Sequence, residues 1–133
     1  MATITTTYKG GTICETQIGG YTITTDSNKT IAPTAPQLFV TSIGACVVAV
    51  VSGYCNRVGI DATGLSVDVS YEGIDNPFRL GNFKVMIHLP NATLGKREEA
   101  LRRVAEHCPV HESIADWSGI DFIIHDSSTL EPA

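Results

Sequence analysis

Cys14, Cys46, Cys55 and Cys108 are the residues of this 133-residue chain best suited by type to covalent chemistry. A thiolate can attack a weak O–O or S–S bond, rise to a sulfenic acid and close a disulfide with a second thiol. Position separates the four. Cys46 follows Ile43-Gly44-Ala45 in an apolar run, and these small neighbours would leave room for a group approaching the sulfur. A core cysteine chosen for its size fits the same position. Cys108 precedes Pro109, and proline suits the first helical position, so Cys108 should sit at the cap of a short helix. Unsatisfied N–H groups and the positive end of the helix dipole would there favour thiolate, making Cys108 the more acidic of the pair. Closing the apolar stripe of the preceding helix is an equally good reason for a cysteine at 108. Cys14 and Cys55 are assigned to packing.

Other chemistries find less support. His107, Cys108 and His111 have a Cys-x-x-His spacing, but a structural zinc site needs a second pair of ligands. His88 and His125 stand singly, so no metal is expected. No G-x-S-x-G elbow supports a serine hydrolase, and the glycines form no phosphate cradle.

The elements that must position the thiols follow from periodicity. Residues 3–25 are rich in Thr, Ile and Tyr and broken by Gly10-Gly11 and Gly19-Gly20, the pattern of short antiparallel strands. The segment DSNKTIAPTAP reads as a loop. Residues 36–57 are apolar nearly all round, and that length favours a buried helix over a strand despite Val47, Val48, Val50 and Val51. Leu65, Val67, Val69 and Tyr71 alternate with polar residues, as do Phe83, Val85, Ile87 and Leu89 after the turn-rich EGIDNPFRLGN. Ala100, Leu101, Val104 and Ala105 form one helical stripe, with Glu98–Arg102 and Glu99–Arg103 expected as ion pairs on the opposite side. Pro109 opens a short helix, and residues 120–125 form a last strand. Strands, a long helix, strands, a helix and a strand make an α+β fold in one domain over 1–133.

Composition narrows the partners. Hydrophobic residues make up 43% of the chain, enough for a core, and the net charge is −5 with no basic stripe. Neither a nucleic acid nor an anionic membrane surface is expected as a partner. The uncharged stretch 38–54 is short of a usual membrane span, and the N-terminus lacks the pattern of a secretory signal. A cytoplasmic location is therefore expected, where paired thiols are more often catalytic than structural.

Two strings carry a family resemblance. Ala35-Pro36-Gln37-Leu38-Phe39, followed by Ser42-Ile43-Gly44-Ala45-Cys46, resembles the opening of the central helix in the OsmC/Ohr family, P-x-E-L then G-A-C. His107-Cys108-Pro109-Val110-His111 resembles that family's second signature, C-P-[VI] before a short helix. The resemblance implies an OsmC-like fold: antiparallel sheets wrapped around a long central helix in an intertwined homodimer. It implies thiol-dependent reduction of organic hydroperoxides, with Cys46 peroxidatic, Cys108 resolving and an external dithiol as reductant, and no cofactor. Gln37 stands where the family's glutamate meets an N-terminal arginine, and no arginine precedes Arg57. Gln37 and His107 are thus candidate supporting residues. The alternative on the same scaffold is a non-enzymatic protein that binds a small hydrophobic ligand. A helix apolar on most of its circumference independently calls for a symmetric partner to cover it.

Overall fold

A computed structural model describes residues 2–115 together with Ile123 and His125. The strand expected over 120–125 falls outside the described residues save for those two. The chain opens with β1 (Thr5–Tyr8), β2 (Ile13–Ile18) and β3 (Tyr21–Asp26), an antiparallel sheet with β2 in the centre. Its tight turns use left-handed backbone at Gly10, Gly11 and Gly19, where a side chain would be strained.

The connection to the long helix is built around Asp26, the only buried charged residue among the described residues, at 1% exposure. Its carboxylate accepts from the Thr12 hydroxyl (2.5 Å) and from the backbone N–H groups of Asn28 (2.9 Å), Thr30 (3.0 Å) and Ile31 (3.1 Å). These donors hold its pKa below the ordinary 3.8, the Thr12 bond contributing most. The loop so folded delivers Thr34 to the helix entrance.

Helix α1 (Ala35–Val58) starts with a capping box. The Gln37 N–H donates to the Thr34 hydroxyl, and the Gln37 side-chain carbonyl accepts from the Thr34 N–H at 3.0 Å. Gly59, at φ 78°, ends it in left-handed backbone. Length wins over β-branching here, as the sequence suggests. The expected burial on most sides is not reached within one chain. Val40, Val47, Val51, Tyr54 and Cys55 are buried along one stripe, whereas only 28% of the most apolar stretch is covered. By length and composition alone this helix could cross a membrane.

Strands β4 (Ser66–Ile74) and β5 (Arg79–His88) form an antiparallel hairpin against α1. Most of the segment read as turn is strand, and the turn itself is confined to residues 75–78 around a cis Asn76–Pro77 bond. A register shift between Ser70 and Glu72 changes the phase, so Ile74 and Leu80 are partly buried although they are out of step with Val67 and Val69 and with Phe83, Val85 and Ile87. A 3₁₀ turn (Gly95–Arg97) leads into α2 (Glu98–Glu106), and α3 (Pro109–Ala115) follows at once. Neither expected Glu–Arg pair of α2 closes to ion-pair distance among the described residues. Glu98 and Arg102 instead border a groove with Leu101 and Ala105, since residues three and four apart share a helix face. Val47, Val51, Tyr54, Cys55, Leu101 and Cys108 make the core, so α1, α2 and α3 meet over the thiols.

Candidate functional site

Cys46 and Cys108 are brought together. Cys46 is half-buried on α1, packs against the core cluster that contains Cys108, and lies near enough to Cys108 to influence its ionisation. No disulfide joins them; all four cysteines are free. Two elements achieve this placement. α1 carries Cys46 one residue before the buried Val47, on the flank of its covered stripe. The α2–α3 junction turns sharply at His107, the C-cap of α2, and Cys108 then falls under α1.

Cys108 is the N-cap of α3, as its position before Pro109 suggests. Its carbonyl accepts from the Glu112 N–H (2.9 Å), and its sulfur accepts from the His111 N–H at 3.4 Å. The expected acidity does not follow. Cys108 has no exposed surface, and burial pushes its pKa above the ordinary 9.0. The His111 N–H opposes this, but Cys46 adds to the rise by favouring a Cys108 that keeps its proton. One long N–H···S bond does not replace the water a thiolate would lose. Cys108 is therefore held as a thiol, corrected from the more acidic partner.

Gln37 and His107 are not brought to the sulfurs within this chain. Gln37 and Cys46 are nine positions apart on α1, which sets them on opposite faces and roughly 13 Å apart along the axis. The Gln37 side-chain carbonyl is already used by the Thr34 N–H. His107 is exposed, and its Nδ1 lies 3.0 Å from the Glu112 carboxylate. Beside Gly44 the Val69 side chain of β4 packs close by, at ordinary contact distance (3.6 Å) from where a Cβ would stand, so the space there is no more than a methyl group. Cys55 is a core residue, with no exposure and a pKa raised by burial. Cys14 is half-buried on β2 and borders a second groove between the N-terminal sheet and the far end of the β4–β5 hairpin.

Beside Cys108 runs a groove of about 680 Å³, lined by Val47, Leu101 and Cys108 and by Val85 and Ile87 of β5; Cys46 is not among its lining residues. Arg102, Glu98, Glu106 and His111 supply its polar groups. Phe83, also in the lining, meets Phe39 edge-on at 6.1 Å and stacks with Tyr71 at 6.2 Å. Sequence reasoning did not identify this groove or the place of His111 in it. The signal was the i, i+4 run Glu98, Arg102 and Glu106, one polar row bordering the apolar stripe. Among the described residues no cluster of His, Cys, Asp and Glu could hold a metal ion.

The family model for OsmC-like proteins matches residues 25–122, a span that includes Gln37, Cys46 and Cys108. No curated protein sequence matches the chain. Among solved structures, a Psychrobacter arcticus protein described as an osmotic stress induced and detoxification response protein is similar, with a TM-score of 0.76 and 23% identity over 86% of this chain and 88% of that one. An OsmC-like protein from Mycoplasma pneumoniae gives 0.68 at 20% identity over 83% and 84%. The organic hydroperoxide resistance protein OhrB of Bacillus subtilis gives 0.58 at 19% over 84% and 88%. At such identities the likeness is one of fold.

Proposed function

Since this chain belongs to the OsmC-like protein family, we propose that it is a thiol-dependent hydroperoxide reductase whose redox pair is Cys46 and Cys108. The observation that carries this is the closeness of the two cysteines, on separate elements and with an apolar groove beside Cys108. The Cys46 thiolate attacks the O–O bond of a hydroperoxide; an alcohol, or water from hydrogen peroxide, leaves, and Cys46 becomes a sulfenic acid. Cys108 attacks that sulfur, water departs and a disulfide forms, which an external dithiol reduces. Holding Cys108 as a thiol suits the second role, because it waits protonated while Cys46 reacts. A groove lined mainly by aliphatic side chains favours organic hydroperoxides over hydrogen peroxide.

The same reading includes a cytoplasmic homodimer. Only 28% of the most apolar stretch of α1 is buried in one chain, and Phe78 and Val85, which share grooves with α1, are exposed. A second copy is the commonest way to cover such a face. A monomeric mass at micromolar concentration would remove the dimer from the proposal.

The enzymatic test uses reduced protein and one equivalent of cumene hydroperoxide. The product should be lighter by two hydrogens, with the peptides of Cys46 and Cys108 joined, which requires Cα atoms within about 7 Å. Cys108→Ser should leave sulfenic acid on Cys46, and Cys46→Ser should consume no peroxide. Neither thiol outpacing free cysteine would sink the reductase and leave a second reading, a scaffold for a small apolar ligand. One arrangement favours that second reading: Gln37 is committed to its capping box, and among the described residues no cation is bonded to the Cys108 sulfur.

A further inference from the structure

Cys108 must lose its proton as it attacks a sulfenic acid, although its surroundings hold that proton in place. His111 is built into the same spot twice over. Its backbone N–H donates to the Cys108 sulfur at 3.4 Å, and its side chain lines the groove in which Cys108 lies. Its ring is also fixed in tautomer. Nδ1 is hydrogen-bonded to the backbone carbonyl of Glu106, and a carbonyl only accepts, so Nδ1 carries the hydrogen. The neutral ring therefore keeps its lone pair on Nε2, the nitrogen free to take a proton. The groups facing this groove from α2 are Glu98, Arg102 and Glu106, while α1 and β5 contribute only apolar side chains. Cys46 faces Cys108 from α1, and Glu112 of α3 is engaged by His107.

We propose that His111 is the proton-transfer residue of the resolving step: Nε2 takes the Cys108 thiol proton as the Cys108 sulfur attacks the Cys46 sulfur. The S–S bond forms, the S–O bond of the sulfenic acid breaks, and the imidazolium returns the proton to the departing hydroxide, which leaves as water. No further oxidant or reductant enters. This assignment rests on the Cys46–Cys108 reading above and deepens it.

The test is His111→Asn, which keeps an N–H donor for the Glu106 carbonyl but has no nitrogen at the Nε2 position. After a stoichiometric pulse of cumene hydroperoxide, dimedone should trap sulfenic acid on Cys46 at the wild-type rate. Disulfide closure should slow by about a hundredfold, the lower range for a general acid–base group. Added imidazole should restore part of the rate, which a merely structural defect would not allow. His111→Gln, which loses the Glu106 bond, should close as slowly. Closure at the wild-type rate in His111→Asn overturns the proposal. So does slowing of the same size in His107→Asn. Reaction with a thionitrobenzoate disulfide poses the same demand without peroxide, since Cys108 must displace the second thionitrobenzoate from Cys46. A wild-type protein that forms no sulfenic acid but shows His111-dependent release would break the reductase reading while leaving the proton transfer standing.

Discussion

Asp26 and Cys108 lie in opposite halves of the molecule, both at 1% exposure or less and both on the approach to a helix, yet their ionisation is pushed in opposite directions. Asp26 receives four hydrogen bonds, one from a hydroxyl and three from backbone N–H groups, and stays charged. Cys108 receives one long bond and faces a second thiol, and stays neutral. Burial by itself therefore does not set the sign; the number of donors aimed at the anion does. The two halves differ likewise in what holds them. Helices α1, α2 and α3 share an apolar core, while the N-terminal sheet has Asp26 as its only buried residue.

The sharpest way to break the contrast is to open the apolar side. Leu101→Ala removes a buried side chain from the cluster around Cys108 and should cost about 3 kcal/mol in urea unfolding. It should also expose Cys108 to alkylation. A loss below about 1 kcal/mol would mean that the core is collapsible and does not hold the thiols.

Asp26→Asn tests the polar side. It should loosen the N-terminal sheet, seen as faster amide exchange in β1–β3, with little change in α2. The pH dependence carries a definite sign. Because the folded pKa is lowered, the stability that Asp26 contributes is present above the ordinary value of 3.8 and is lost as pH falls through the folded one. Acid unfolding should thus begin in β1–β3, and the Asn variant should lack that component. The core thiols behave in reverse. Cys55 and Cys108 have raised pKa values, so their contribution is complete below pH 9.0 and is lost as pH rises through the folded values. An alkaline loss that begins in the N-terminal sheet would contradict the division.

Two smaller effects refine it. Cys55→Ser places a hydroxyl where burial is complete, and an unpaired hydroxyl there should cost about 1–3 kcal/mol. If the cost is near zero, the serine has found the carbonyl one turn back on α1, and the site is less apolar than its neighbours imply. Gly44→Ala should be mildly stabilising, by about 0.5–1 kcal/mol, because its Cβ would meet only Val69 at ordinary contact distance. Destabilisation would show that α1 and β4 are packed too closely to yield.

Much of this was legible in the residues. The long apolar run, the two alternating strands, the helix-opening Pro109 and the two cysteine strings yield the α+β order, the family resemblance and the pair Cys46–Cys108. Cap position could also be read, because it depends on neighbours in the chain: Cys108 sits at an N-cap since proline follows it. The Asp26 loop had a weaker local signal, an acidic residue followed by Ser-Asn-Lys-Thr, which offers backbone N–H groups back to the carboxylate.

Three features depended on what packs from elsewhere in the chain. The protonation state of Cys108 is one: the dipole acts locally, but desolvation comes from α1 and α2 closing over the sulfur. The fate of Gln37 is another, because its capping box competes for the carbonyl that a catalytic role would need. The place of His111 is the third. Local spacing puts it one turn past Cys108, but only the turn between α2 and α3 sets its ring on the Glu106 carbonyl and beside the groove. Periodicity and capping are properties of neighbouring residues, so a sequence can state them. Solvation and proton placement belong to surfaces that meet across the fold, and those exist only once the chain has closed.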